Sequence, residues 1–282
     1  MKIFVPSDVP SRKARTFRNN YGVMTHDTGN LFLFAGDQKI EHLNQDFVGE
    51  GISPESADPK HMFAIANIEH IGAFATQLGL IARYGASYPK VNYIVKLNSK
   101  TNIIPTEARD SLSEQLWSIH NVATFKKNSG LNICGVGYTI YLGSEYESLM
   151  LQEAAQTIFN AHQEGLIAIL WIYPRGKHVR AYSPEQLAGA AGVANALGAD
   201  FVKLAIPRQA NYADLSIATQ AAGNTKIIVS GGSKVDEETF LKDLQNQINH
   251  GTCGTAIGRN LFQRSFNNAL EFSKKIAAVV YK

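Results

Sequence analysis

Short runs of β-branched and aromatic residues alternate along the chain with longer stretches in which apolar side chains recur every three or four positions. This is the pattern of parallel strands joined by helices. It predicts strands at Leu31–Ala35, Val91–Leu97, Ile133–Tyr141, Leu166–Ile172, Asp200–Ala205, Lys226–Ser230 and Thr252–Ile257, with a more weakly marked one at Gly72–Thr76. Helices are expected over Glu145–Glu164, Ser183–Leu197, Tyr212–Ala222 and Asp236–Asn249; Pro184 falls just inside the second, where its missing N–H costs little. Eight strands with right-handed crossovers leave two architectures, an open doubly wound sheet or a closed (β/α)8 barrel. The first strand runs into AGDQ with no GxGxxG turn, so the dinucleotide-binding opening of an open sheet is missing. The glycine-rich loops follow the last two strands, where barrels build phosphate cradles. The expected fold is therefore α/β, a single (β/α)8 TIM barrel over 1–282. Residues 1–30, polar and basic, read as an N-terminal extension that covers the barrel or meets a neighbouring subunit.

Composition narrows the function classes. The 282 residues are 45% hydrophobic and 18% charged, which excludes a disordered tail or a collagen-like rod. A net charge of +3 without a basic run demands no nucleic-acid partner. The two cysteines, Cys134 and Cys253, lie far apart and beside glycines, which fits a reducing, cytoplasmic setting better than a disulfide framework. The first twenty residues hold no apolar signal core, and no window approaches the roughly 20 apolar residues of a membrane span.

Barrel enzymes carry their reactive groups at the C-terminal ends of strands. That filter selects Asp37, Gln38 and His42 after the first strand, Lys96 in the third, and Trp171, Tyr173 and Arg175 around the end of the fifth. It further selects Lys203 in the sixth, Ser230, Gly231 and Gly232 after the seventh, and Gly258, Arg259 and Asn260 after the eighth. Lys203 stands in GADFVKLAIP, an apolar strand whose interior disfavours an ammonium. Such a neutral amine is a nucleophile able to condense with a carbonyl into a Schiff base. The other reading is a lysine that snorkels out of the barrel mouth or pairs with a carboxylate. Lys96 in YIVKLN has the same character, and a second cation further depresses the first. Tyr173 either transfers a proton, its ionised form favoured by the lysines, or packs at the strand end. Trp171, two residues earlier on the same strand face, reads as a pocket wall. Arg175 either binds an anion or holds the turn, and Asp37 either orients a substrate hydroxyl or balances the lysine charges.

The segments IIVSGGSK and AIGRNLFQR each place small residues between a strand and a helix, where backbone N–H groups at a helix N-terminus favour phosphate. Convergence of Ser230, Gly231, Gly232, Gly258 and Arg259 is expected. No HxH or HExxH spacing occurs, and His61, His70, His120, His162, His178 and His250 are scattered, so no metal site and no cofactor are expected.

Together, LFAGDQKIEH, LWIYPRG, GADFVKLAIP, VSGGSK and IGRNLFQR resemble, in order, the archaeal-type class I fructose-bisphosphate aldolases, Schiff-base enzymes related to deoxyribose-phosphate aldolase. The resemblance implies that Lys203 forms the imine and that Tyr173 moves protons. It also implies that Asp37 and His42 match the family's first-strand motif, and that the chain is a homo-oligomer acting on a phosphorylated sugar. The pattern departs from DQGxEHGP or DHGxEHG by reading DQKIEHLN, with Lys39 and Leu43–Asn44 in the loop that faces the substrate's far end. Other readings are a related Schiff-base aldolase or transferase for another sugar phosphate, a phosphate-binding barrel isomerase without covalent chemistry, or a sugar-phosphate sensor.

Overall fold

The apolar segments assemble as parallel neighbours in sequence order, and the eighth closes on the first. The computed structural model describes residues 3–179, 183–206 and 211–282. Its barrel comprises β1 (Leu31–Ala35), β2 (Ala73–Gln77), β3 (Tyr93–Lys96), β4 (Ile133–Leu142), β5 (Ile167–Pro174), β6 (Phe201–Leu204), β7 (Lys226–Ser230) and β8 (Gly254–Ile257). Closure runs through the register Leu31↔Gly254 to Phe34↔Ile257. The TIM barrel read from the sequence is therefore the fold. The helices are α1 (Ala14–Thr25), α2 (Gln38–Glu41), α3 (Pro59–Ala66), α4 (Leu78–Tyr84), α5 (Ile119–Ser129), α6 (Glu147–Gln163), α7 (Pro184–Leu197), α8 (Tyr212–Ala222), α9 (Glu237–Asn249), α10 (Arg259–Phe262) and α11 (Phe266–Val280). Ser118 and Ser183 open α5 and α7 with capping boxes, which satisfy N–H groups that a helix start leaves free. Among the described residues no helix is long and apolar enough to cross a membrane.

Strand alternation sorts the core into two layers. Leu31, Leu33, Ala73, Ala75, Ile94, Ile167, Ile169, Phe201, Ile228 and Ala256 fill the barrel interior. Their neighbours Phe32, Phe34, Phe74, Val95, Leu170 and Val202 pack outward against the helices. The weak signal of β2 has its cause here: its inward positions are Ala73 and Ala75, small enough to leave room for the large inward residues of other strands. That removes the β-branched character by which strands are recognised.

The N-terminal segment closes the bottom of the barrel. Helix α1 inserts Phe17, Tyr21 and Met24 into the interior cluster. Polar ties hold it there: Asn20 Nδ2 donates to the Gly165 carbonyl at 2.7 Å, and Lys13 pairs with Glu164 at 2.7 Å. The central tie is His162, fully buried on α6, with Nδ1 2.8 Å from Asp8 Oδ2 and Nε2 3.2 Å from Asp200 Oδ2. Asp200 also accepts the Ala168 N–H at 2.8 Å, so one imidazole joins the extension to the starts of β5 and β6. Burial alone would lower the His162 pKa; the hydrogen bonds and charges of Asp200 and Asp8 outweigh it and raise the value to about 8.

A folded pKa above the unfolded one contributes stability that is complete below about pH 6.5 and lost as pH rises through about 8. The contribution is about 2 kcal/mol. The stability advantage of wild type over His162→Gln in urea unfolding, a difference from which the titration of Lys96 and other groups common to both cancels, is expected to be largest at pH 6.5 and to shrink by pH 8.5.

Candidate active site

Buried ammonium groups are costly unless something holds them or uses them. Two lie at the C-terminal mouth of this barrel, Lys96 at 2% exposure and Lys203 at 5%. They share one indole: Lys96 Nζ is 5.3 Å and Lys203 Nζ 5.5 Å from the Trp171 ring centroid. Trp171 pairs in register with Lys203, and its six-membered ring lies over Gly137 of β4, where a Cβ would run into it. The structure thus brings together Lys96, Trp171 and Lys203, as the sequence suggested.

The lysines differ in how they are held. Lys96 Nζ donates to the Asn98 carbonyl and to Asn98 Oδ1, each at 3.0 Å. Asn98 is itself fixed, since Oδ1 accepts from Thr139 N at 2.7 Å and Nδ2 donates to the Ser113 and Thr139 carbonyls at 2.8 Å. Lys203 Nζ forms no hydrogen bond or ion pair with the described residues. Burial lowers its pKa and Arg259 adds to the effect, while Asp37 and Glu41 oppose it. Burial likewise brings Lys96 to about 8, with Asp37 and Glu41 opposing and the Lys203 charge reinforcing. Lys96 is anchored in place, and the Lys203 amine is not tied to any described residue.

Tyr173, next to last in β5, packs against the same interior layer as Trp171. Burial first, then Asp37 and Glu41, push its phenol well above the ordinary range, against Arg175 and Arg259. This corrects the expectation that nearby lysines favour the ionised form: the phenol is held neutral. Arg175 does not stand free to meet an anion alone. Its Nη1 is 3.3 Å from Glu41 Oε1, which also accepts the Tyr141 hydroxyl at 3.1 Å, and its guanidinium lies 5.7 Å from the Tyr173 ring. Asp37 is fixed through its backbone, whose carbonyl accepts Gln77 Nε2 at 2.8 Å. His42 turns to Asp46, Nδ1 to Oδ2 2.6 Å, and Arg259 Nε approaches the same oxygen at 3.9 Å. Glu41, His42, Asp46 and Arg259 border a cleft of about 540 Å³ that also exposes Leu43 and Ile103. Leu43 has φ +54°, a left-handed conformation that glycine adopts without cost.

The two glycine turns meet. Gly231 N–H donates to the Ala256 carbonyl at 3.1 Å, and a Cβ on Gly231 would lie 2.5 Å from Ile257 Cγ2, so only glycine permits the approach. Buried Asn260 braces them: Nδ2 donates to the Gly231 and Ser233 carbonyls at 2.9 and 3.2 Å, and Oδ1 accepts Val235 N–H at 3.1 Å. One expectation needs correction. The turn at Ser230–Gly232 does not open a helix, because α9 begins at Glu237 and the Asp236 carboxylate already caps it. Only Gly258 directly precedes a helix, the four-residue α10. Any anion at the β7 turn therefore meets turn backbone rather than a helix end.

The bracing residues Asn98, Tyr141 and Asp46 were not legible as site residues, because their importance lies in long-range partners. Among the described residues no cluster of three or more His, Cys, Asp or Glu suited to a metal ion occurs.

Comparisons with known proteins agree with this geometry. A family model described as DeoC/LacD family aldolase matches residues 31–264. The chain is 51% identical over 98% of its length, and 89% of the relative's, to the fructose-bisphosphate aldolase/6-deoxy-5-ketofructose 1-phosphate synthase of Methanocaldococcus jannaschii. It superposes on a fructose-bisphosphate aldolase from Slackia heliotrinireducens with TM-score 0.95 and 49% identity, covering 99% of this chain and 90% of that one. An archaeal fructose-1,6-bisphosphate aldolase solved with its catalytic lysine bound to the carbinolamine intermediate of the substrate superposes with TM-score 0.81 and 31% identity, covering 94% of this chain and 100% of that one. With a closed eight-stranded barrel, two buried lysines at its mouth and this agreement over its length, the chain belongs to the DeoC/LacD family of aldolases.

Proposed function

We propose that this protein is a class I, Schiff-base fructose-bisphosphate aldolase. It would reversibly cleave fructose 1,6-bisphosphate to dihydroxyacetone phosphate and glyceraldehyde 3-phosphate. The observation that carries the reading is the contrast between the two lysines: Lys96 is tied to Asn98, while Lys203 is buried, lowered in pKa and unpaired among the described residues. The names of the similar aldolases point the same way.

The substrate's C1 phosphate docks on the Ser230–Gly232 and Gly258–Arg259 turns, and its binding energy orients the ketone. The Lys203 amine adds to C2, giving a carbinolamine. The neutral Tyr173 phenol protonates the carbinolamine hydroxyl, which leaves as water, and the iminium forms. The resulting phenolate takes the C4 hydroxyl proton; the C3–C4 bond breaks, its electron pair moves into the iminium, and glyceraldehyde 3-phosphate departs. Tyr173 returns the proton to C3 of the enamine, and water hydrolyses the iminium, freeing dihydroxyacetone phosphate and the amine. Asp37 orients the hydroxyls, Lys96 supplies a fixed positive charge beside the developing phenolate, and Trp171 walls the chamber. His42 and Arg175 serve the far end of the sugar.

A second reading is favoured by Leu43 and Ile103, 40% and 69% exposed at the far-end cleft. The enamine would then also add to an aldehyde with an apolar end, in keeping with the 6-deoxy product named for the M. jannaschii relative. Both readings use the same imine.

Borohydride in the presence of fructose 1,6-bisphosphate is expected to leave a stable mass adduct on Lys203, and cleavage is expected to persist in excess EDTA. Lys203→Met should lose both adduct and turnover while still binding the phosphate ester; full activity of that variant would refute the mechanism. The brace predicts a different signature. Asn260→Ala removes three hydrogen bonds to the backbone of the turns, so the KM for fructose 1,6-bisphosphate should rise about 10-fold with a smaller change in kcat. Steady-state kinetics beside a melting curve separate this from unfolding.

A further inference from the structure

We propose that Gln77 is a substrate-binding residue whose carboxamide oxygen accepts a hydrogen bond from the hydroxyl on the carbon next to the imine. The proposal rests on the Schiff-base reading above. Gln77 ends β2, and by strand alternation it faces the barrel interior as Ala73 and Ala75 do. It pairs in register with Lys96 and is 5% exposed.

The carboxamide is oriented without ambiguity. Nε2 donates to the Asp37 carbonyl at 2.8 Å, and since a carbonyl oxygen only accepts, the nitrogen must be on that side and Oε1 on the other. Oε1 is buried with no hydrogen-bond partner among the described residues. The ammonium next to it in register does not fill the gap, because Lys96 is committed to Asn98. A buried amide oxygen left in this state is destabilising until a donor reaches it.

The chemistry of the acceptor selects the donor. A phosphate dianion and a ketone offer only acceptors, so of the substrate's groups a hydroxyl alone can satisfy Oε1. The same inner layer holds the complementary orphan, the buried Trp171 Nε1–H, which also lacks a partner among the described residues. A hydroxyl both donates and accepts, so it is the sugar group suited to a chamber with one unmet acceptor and one unmet donor. The position along the sugar follows from the company Gln77 keeps. It stands in register with Lys96, and Lys96 Nζ and Lys203 Nζ lie 5.3 and 5.5 Å from the same Trp171 ring, whose unmet N–H is the complementary orphan. The hydroxyl within reach is the one beside the carbon that Lys203 holds.

Dihydroxyacetone phosphate and acetol phosphate differ only in that hydroxyl, and both present a ketone and a phosphate. The experiment measures the concentration of each that half-saturates borohydride trapping on the full-length enzyme. Wild type is expected to prefer dihydroxyacetone phosphate by about 10–100-fold. Gln77→Met should erase the preference by weakening dihydroxyacetone phosphate alone, its undiminished trapping of acetol phosphate reporting an intact fold. Equal weakening of both ligands, or of neither, overturns the proposal, as does a wild type that traps both equally well. Trapping of neither by wild type instead overturns the Schiff-base reading, and this inference with it. If Gln77→Met fails to fold, Gln77→Leu, which likewise removes both polar atoms of the carboxamide, should erase the preference in the same way; a preference retained there also overturns the proposal.

Discussion

Placing two ammonium groups against one indole inside a barrel sets the terms for the rest of this site. Water would stabilise both charges far better than the protein interior does, so the fold must either neutralise them or compensate them. It does each once. Lys96 is compensated locally by two bonds to Asn98, while Lys203 receives only the more distant field of Asp37 and Glu41 and is shifted toward the free amine. One asparagine thereby distinguishes a chemically equivalent pair of side chains, one hydrogen-bonded and one not. Burial first, and then the same two carboxylates that temper the lysines, raise the Tyr173 phenol. Asp37 and Glu41 thus act on both lysines and on the phenol.

This arrangement needs a rigid chamber, and the barrel supplies it from both ends. Below, α1 and the Asp8–His162–Asp200 bridge close the base of the barrel. Within, the absence of a side chain at Gly137 admits the Trp171 ring between the lysines. Above, Gly231 and Asn260 hold the last two turns against each other, so that a group bound there is fixed relative to β6. None of these contacts is itself reactive. They determine where the reactive atoms stand.

How much of this was legible in the sequence follows from the range of each interaction. All eight strands were readable, because strand formation depends on local alternation and the barrel interior demands apolar residues; β2 was faint only because Ala73 and Ala75 leave room for larger inward neighbours. Lys203 and Lys96 were readable because a lysine in an apolar strand contradicts its surroundings. Asn98 acts through partners 15 and 41 residues away and Asp46 through one 217 residues away, and an asparagine or aspartate in a loop or at a strand end is ordinary in itself; Asn260 was selected by its place after β8, but its bracing of the two turns was not readable. The state of Tyr173 was misjudged for a related reason. The sequence shows cations nearby but not that the charges of Asp37 and Glu41 reach the phenol, nor that burial dominates every charge around it.

The site divides along the barrel. One half is built on β5 to β8, where Trp171, Tyr173, Lys203 and the glycine turns stand on strand ends or on turns braced by hydrogen bonds to backbone. Its other half is built from the longer loops after β1 and β3, joined where Asn102 N–H meets the Glu41 carbonyl at 2.9 Å. In that half Leu43 is held at a positive φ and Ile103 faces solvent, features that cost stability and contribute nothing to the core. Strain and exposed apolar surface at the rim of a cleft are maintained where a ligand meets them. The half on the strand ends is braced by backbone bonds and the half on the longer loops is irregular, so change in the loops after β1 and β3 leaves the surroundings of the two lysines as they are.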